Sequence, residues 1–172
     1  MSDSAHVREF TVGAGQRSPE TPEPMTRGEV EFISKMILDE VMELMATVAP
    51  PAEAKAALKG MIDASKDIAQ TVYTPDDKGR VQLVADQADA LVDAYYYSQN
   101  AAAKKGVNLS ALFHVVHAAN MAKRDPVTGK FLKRDDGKII KPPGWQEPDI
   151  CAEIERQCRD GAWVEKENTK SA

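Results

Sequence analysis

The sequence predicts an all-α protein: a helical bundle with paired acidic helices and one short irregular basic loop or hairpin near the C-terminus. Three observations carry that expectation. Apolar residues recur at helical spacing, as in Ile33, Ile37, Val41, Leu44 and Val48. The periodic segments are bounded by helix punctuation, namely Pro50-Pro51, Gly106 and candidate caps at Thr26 and Asn108. Strand-and-turn character is confined to the stretch after Lys123, with Thr128-Gly129 and Asp136-Gly137 around short apolar runs. At 172 residues and 42% apolar content, the chain is long enough for one domain with a core.

Residues 1–25 are polar, contain Pro19, Pro22 and Pro24, and read as an N-terminal arm with at most a short helix around Val7–Phe10. Thr26, with Glu29 three residues on, forms a capping box. The helix it opens runs to about Ala49, where Pro50-Pro51 stops it. Residues 52–72 are rich in helix formers and make a second helix, and residues 74–80 a turn. A long helix follows from about Val81 to Lys105, with Gly106 as its C′ residue. Asn108 caps the next, Leu109 to about Lys123. A last helix spans Pro148 to about Arg159. The helical domain is thus 26–160, and 161–172 a frayed tail.

Composition narrows the function. No run approaches the roughly 18 apolar residues of a membrane span, and the N-terminus lacks the order of a signal peptide. Cys151 and Cys158 form no CxxC, which argues against a disulfide framework and a zinc site and for a reducing, cytoplasmic compartment. The net charge of −5 is uneven: Lys123–Lys141 carries +4, which leaves −9 on the rest. An acidic body does not suit a nucleic acid polymer. A basic segment beside it fits a small anionic ligand approached with a metal cation, or else a solvated loop.

The carboxylates are the most informative feature. Between Val81 and Ala103 the only charged residues are Asp86, Asp89 and Asp93, at i, i+3 and i+7 on one helical stripe. No Lys or Arg stands three or four residues from any of them, and like charges so spaced repel. On the earlier helix Asp39 has Lys35 at i−4, but Glu40 and Glu43 have no such partner. Two readings meet this pattern: polar bundle faces, or the pairs Glu40/Glu43 and Asp86/Asp89 facing each other around a shared cation. Oxygen-only ligands select hard ions such as Mg²⁺ or Mn²⁺. A di-iron bundle needs Glu-x-x-His motifs, and there are none.

These residues carry a resemblance. Glu40-x-x-Glu43 within ISKMILDEVMEL, followed by VADQADALVDAYYYSQNAAAKKGVNL, resembles the paired acidic helices of the all-α nucleoside triphosphate pyrophosphohydrolases, the superfamily of MazG and phosphoribosyl-ATP pyrophosphohydrolase. The likeness is strongest to the phosphoribosyl-ATP-pyrophosphohydrolase-like branch. Its His-x-x-Asn-Met-x-Lys signature is matched by His117, Asn120, Met121 and Lys123. Its basic loop is matched by Gly129-Lys130, Asp136-Gly137-Lys138 and Lys141-Pro142-Pro143, and Val7-Arg8-Glu9-Phe10 is similar to its opening. The likeness covers roughly residues 7 to 150. Two departures stand out: Asp86 occupies a position that is usually Glu, and the stretch between the acidic pairs is long.

The resemblance implies hydrolysis of a nucleoside triphosphate, or a related nucleotide such as phosphoribosyl-ATP, to the monophosphate and pyrophosphate. Glu40, Glu43, Asp86 and Asp89 would ligate Mg²⁺ (or Mn²⁺), and Asp39 would orient or deprotonate water unless it stays paired with Lys35. Asp93, Asn120, Lys123, Lys138 and Lys141 would bind substrate, and a homo-oligomer, dimer or tetramer, is expected. His117 is more often a packed or surface histidine than a catalyst. Tyr95, Tyr96 and Tyr97 include a possible base-stacking ring, though core packing accounts for Tyr95. Trp145 has no role in this reading. The alternative is a non-catalytic helical module of the same fold that binds nucleotide or a partner.

Overall fold

The computed structural model describes residues 2–64, 79–135 and 137–163. These form six helices: α1 (Asp3–Gly13), α2 (Arg27–Ala46), α3 (Pro51–Asp63), α4 (Arg80–Ala103), α5 (Leu109–Met121) and α6 (Ile150–Asp160). The all-α expectation holds. Two isolated antiparallel bridges, Arg124 with Phe131 and Lys133 with Ile139, are the β-structure among the described residues. No helix among them is long and apolar enough to cross a membrane. The end of the expected second helix, most of the expected turn at 74–80, Asp136 and most of the tail lie outside the described residues. The chain divides into two compact units, Thr21–Leu91 and Met1–Glu20 with Val92–Ala172, and α4 contributes to both.

In the unit Thr21–Leu91, the capping box forms as the sequence dictates. Thr26 Oγ1 accepts from the Glu29 N–H at 3.3 Å, and the Glu29 carboxylate accepts from the Thr26 N–H at 2.7 Å. Thr47 caps the other end, three residues ahead of Pro50. Pro51 then starts α3, at the position where its missing N–H costs nothing. α3 folds back on α2 and buries Ala54 completely. The start of α2 is fastened to α4 by a single side chain. Gln87 Oε1 accepts from the Met25 N–H at 2.7 Å, and Gln87 Nε2 donates to the Met25 carbonyl at 3.0 Å. Arg80 adds a bond to the Pro22 carbonyl at 3.1 Å.

In the other unit the N-terminal segment departs from expectation. It is an 11-residue helix, capped by Ser2 and closed by Gly15 at φ +66°. Polarity and prolines hid it, because what holds it is tertiary. α1 packs on α5, and its far end meets the basic loop: the Phe10 and Phe131 rings meet edge-on at 5.2 Å, and Arg124 lies over Phe131 and 3.6 Å from Glu9. A Cβ at Gly13 would stand 3.1 Å from the Phe131 ring, so this approach suits glycine.

α4 ends in a Schellman motif, with Gly106 at φ +73°. The Val107 N–H reaches the Ala102 carbonyl and the Gly106 N–H the Ala103 carbonyl, both at 3.0 Å. Asn108 caps α5. The basic segment makes two tight turns, the first organised by Asp125, whose Oδ1 accepts from the Thr128 N–H, its hydroxyl and the Val127 N–H. The Thr128 backbone bond, then its hydroxyl, lowers the Asp125 pKa. α6 is fastened to the start of α5 by Gln157, 6% exposed. Its Oε1 accepts from the Asn108 N–H at 2.9 Å and its Nε2 donates to the Asn108 carbonyl at 3.1 Å.

Gln157→Leu fills similar space but leaves both Asn108 backbone groups without these partners. A buried polar group so stranded costs roughly 1–3 kcal/mol. Thermal unfolding followed by circular dichroism is expected to show a midpoint lower by about 2–4 °C per kcal/mol; an unchanged midpoint would deny the clasp a structural role.

Candidate functional site

The acidic residues fall in two places within the unit Thr21–Leu91. Glu40 and Glu43 stand a turn apart and exposed on α2; Asp86, half-buried, and Asp89, exposed, stand a turn apart on α4. Gln82 donates to Asp86 Oδ1 at 2.8 Å. Glu40, Glu43 and Asp89 have no hydrogen bond or ion pair among the described residues. Asp39 pairs with Lys35, as its i−4 spacing suggested. Asp93 lies exposed on α4 one turn beyond Asp89.

One chain does not bring the two pairs together. The Gln87 clasp sets the start of α2 beside the turn of α4 that carries Asp86 and Asp89. Glu40 lies fourteen residues past Thr26, which at about 1.5 Å per helical residue is roughly 20 Å along α2. Along its length α2 packs on α3, and none of its packing among the described residues is with Arg80–Leu91. Facing pairs across a bundle, the arrangement expected from sequence, are not formed within the chain. The donor chemistry still fits a hard divalent cation: carboxylate oxygens, water-accessible, mostly without protein counter-charges.

The basic residues gather in the other unit around a side chain that sequence reasoning left without a role. Trp145 Nε1 donates to the Ala119 carbonyl at 2.7 Å, which lays the indole against α5. Lys141 Nζ lies 4.0 Å and Lys123 Nζ 5.5 Å from the Trp145 ring centroid. Lys123 Nζ also donates to Asn120 Oδ1 at 2.7 Å, so two signature residues are joined. Burial, then the Lys141 charge, lowers the Lys123 pKa. Lys141 reaches Glu147 at 3.8 Å, and Lys138 sits exposed at the second turn. A groove of about 480 Å³ runs beside the indole, lined by Ala119, Ala122, Arg124 and Pro142 among others. The one signal for Trp145 was its place two residues after the Lys141-Pro142-Pro143 motif, past Gly144.

His117, also in the signature, stacks on Phe113 with ring centroids 5.8 Å apart and planes 8° from parallel. Burial first, then the neighbouring His6, lowers its pKa. That favours the packed reading over a protonated catalyst.

The sequence model of the phosphoribosyl-ATP pyrophosphohydrolase family matches residues 7–120, from α1 through the first two signature residues. The chain belongs to this family. Among solved structures, this family member is similar to a "putative NTP pyrophosphohydrolase" from Exiguobacterium sp. 255-15, at 26% identity and a TM-score of 0.82 over 94% of this chain and 99% of that one. A comparison with curated proteins gave no match. Family and neighbour together support nucleotide pyrophosphohydrolase activity in general.

The shared indole generates a pH prediction. Lys123 binds its proton less readily folded than unfolded, so its contribution lowers stability at neutral pH and is relieved as pH rises from the folded value toward the unfolded one. Lys141→Gln removes one cause and is expected to raise the Lys123 pKa, read by NMR titration of the Nζ group. A fall would refute the coupling.

Proposed function

We propose that this chain hydrolyses a nucleoside triphosphate, or a related nucleotide such as phosphoribosyl-ATP, to the monophosphate and pyrophosphate, with Mg²⁺ or Mn²⁺ held by Glu40, Glu43, Asp86 and Asp89. The observation that carries this reading is Glu40, Glu43 and Asp89, three carboxylates without partners among the described residues, on the two acidic helices of a pyrophosphohydrolase family member. A divalent cation there neutralises phosphate charge that otherwise repels an attacking water. Lys123 and Lys141, set on Trp145, and Lys138 on the loop would receive phosphate oxygens. Asn120 would bind phosphate or sugar, and Asp93 would accept hydrogen bonds from the sugar. Asp39, released from Lys35, would take the proton of the water that displaces pyrophosphate.

The run of α2 between the Gln87 clasp and Glu40 supports an assembly in which the pairs meet between chains. If Glu40/Glu43 of one chain meets Asp86/Asp89, the partner pair comes from a second copy, so the working form is a homo-oligomer, a dimer or a tetramer. The apolar faces agree. Phe32 is 65% and Leu44 68% exposed on α2, and Val92 60% on α4, surface of the kind that marks an interface. The non-catalytic alternative draws on Asp86, one methylene shorter than the Glu its position usually carries, and the assay below separates the two.

Glu40→Gln and Asp89→Asn each remove a ligand charge without changing side-chain size. Each is expected to reduce Mg²⁺-dependent pyrophosphate release by at least about a hundredfold, the upper range for merely supporting residues, with helicity retained. Full activity in either variant removes the metal assignment, and no turnover by the unaltered chain across a nucleotide panel supports the non-catalytic module. Light scattering at micromolar concentration is expected to give at least twice the chain mass of 18.8 kDa. A monomer would end the shared-site reading.

A further inference from the structure

The chain has three histidines, and folding brings all of them to one place. His6 on α1 has its ring 5.3 Å from that of His114 and 4.9 Å from that of His117, both on α5. Asp3, one turn before His6, points at the same spot, with Oδ1 3.8 Å from His114 Nε2. Its other oxygen, Oδ2, accepts from the Ser110 hydroxyl at 3.2 Å, the outer hydrogen bond that commonly orients a ligating carboxylate. Ligand atoms of Asp3, His6 and His114 all lie within 4.8 Å of one another, the one such group among the described residues. His6 Nδ1 exposes less than 1 Å² and has no hydrogen-bond partner among the described residues. A buried imidazole nitrogen in that state costs free energy unless something answers it.

We infer that Asp3, His6 and His114 form a binding site for a borderline divalent transition ion of the Zn²⁺ type, between α1 and α5. Two imidazoles and a carboxylate are an established donor set for such ions, and imidazole prefers them over Mg²⁺. The remaining position falls to water or to the adjacent His117. Donor atoms around tetrahedral Zn²⁺ stand about 3.3 Å apart, from bonds of about 2.0–2.1 Å. Separations within 4.8 Å therefore close to this by small side-chain rotations, His114 being the exposed member and Asp3 and His6 half-buried. The site is separate from the acidic pairs in residues and in chemistry. The ion would tie α1 to the helix that bears the His117 signature. Cysteine spacing argued against zinc, but that argument does not reach ligands distant in sequence.

The test uses the full chain, stripped with a chelator and titrated with Zn²⁺ alone in excess Mg²⁺, against a chromophoric competitor. One Zn²⁺ per chain with a micromolar or tighter Kd is expected, with His6→Gln and His114→Gln each weakening it at least tenfold and Glu40→Gln/Glu43→Gln leaving it unchanged. Proton NMR of the unaltered chain does not depend on how the variants fold: stoichiometric Zn²⁺ is expected to shift the ring signals of His6 and His114. Unmoved histidine signals, or binding that survives both histidine substitutions or fails in the acidic variant, would overturn the site.

Discussion

A residue in extended backbone conformation presents its N–H and its C=O on the same side, and a primary amide is the side chain that answers both at once. Each unit uses this. Gln87 grips Met25 just ahead of α2, and Gln157 grips Asn108, the N-cap of α5. Unlike an apolar contact, the two-point bond has direction, so it fixes where a helix begins rather than merely what it touches. In the acidic unit α2 thus starts beside the turn of α4 that carries Asp86 and Asp89, and Glu40 and Glu43 lie further along it, where it packs on α3.

The same constraint leaves apolar surface unclaimed. The described residues bury Ala14, Ala54 and Ala162 as their apolar core, while Phe32, Leu44, Val92, Tyr96 and Tyr97 stand well over half exposed. A Leu, Val or Phe gains about 1.5–3 kcal/mol on full burial. A handful of such residues thus rivals the 5–15 kcal/mol by which a whole domain is stable. Polar clasps worth about a kcal/mol per bond do not replace that. A second copy covering these faces would add stability and, in the proposed oligomer, complete the carboxylate set.

What the sequence disclosed divides along the range of the forces involved. The capping box at Thr26, the glycine stop at Gly106 and the Asn108 cap are decided within one turn of chain, and all three stand as read. α1 was read as an arm because its stability resides in α5, Phe131 and Arg124, more than a hundred residues away. Trp145 was passed over for the same reason: its meaning lies in the Ala119 carbonyl and the two lysines on its ring. Periodicity showed that both acidic pairs lie on helices, but it carries no information on how far along α2 the second pair would be from the first. The pattern suggested the pairing and the family resemblance strengthened it, while α2 packs on α3 rather than on Arg80–Leu91 among the described residues.

That distinction bears on Asp86, the residue that departs from the family pattern. Where both acidic helices belong to one chain, the loop between them fixes their spacing, and a ligand one methylene shorter falls short of a cation that demands bonds of about 2.0–2.1 Å. Where the helices belong to two chains, their spacing is set instead by how the apolar faces of α2 and α4 pack, and small side chains bring helices closer. Ala85, Ala88 and Ala90 surround Asp86 and Asp89 on α4. In a shared site a closer approach over alanines would offset the shorter reach of aspartate, and Gln82 is bonded to the Asp86 carboxylate. If two chains share the site as proposed, the substitution and the long segment between the pairs would be one adaptation: a lengthened connection that lets the chains meet, and a ligand matched to the spacing their interface sets.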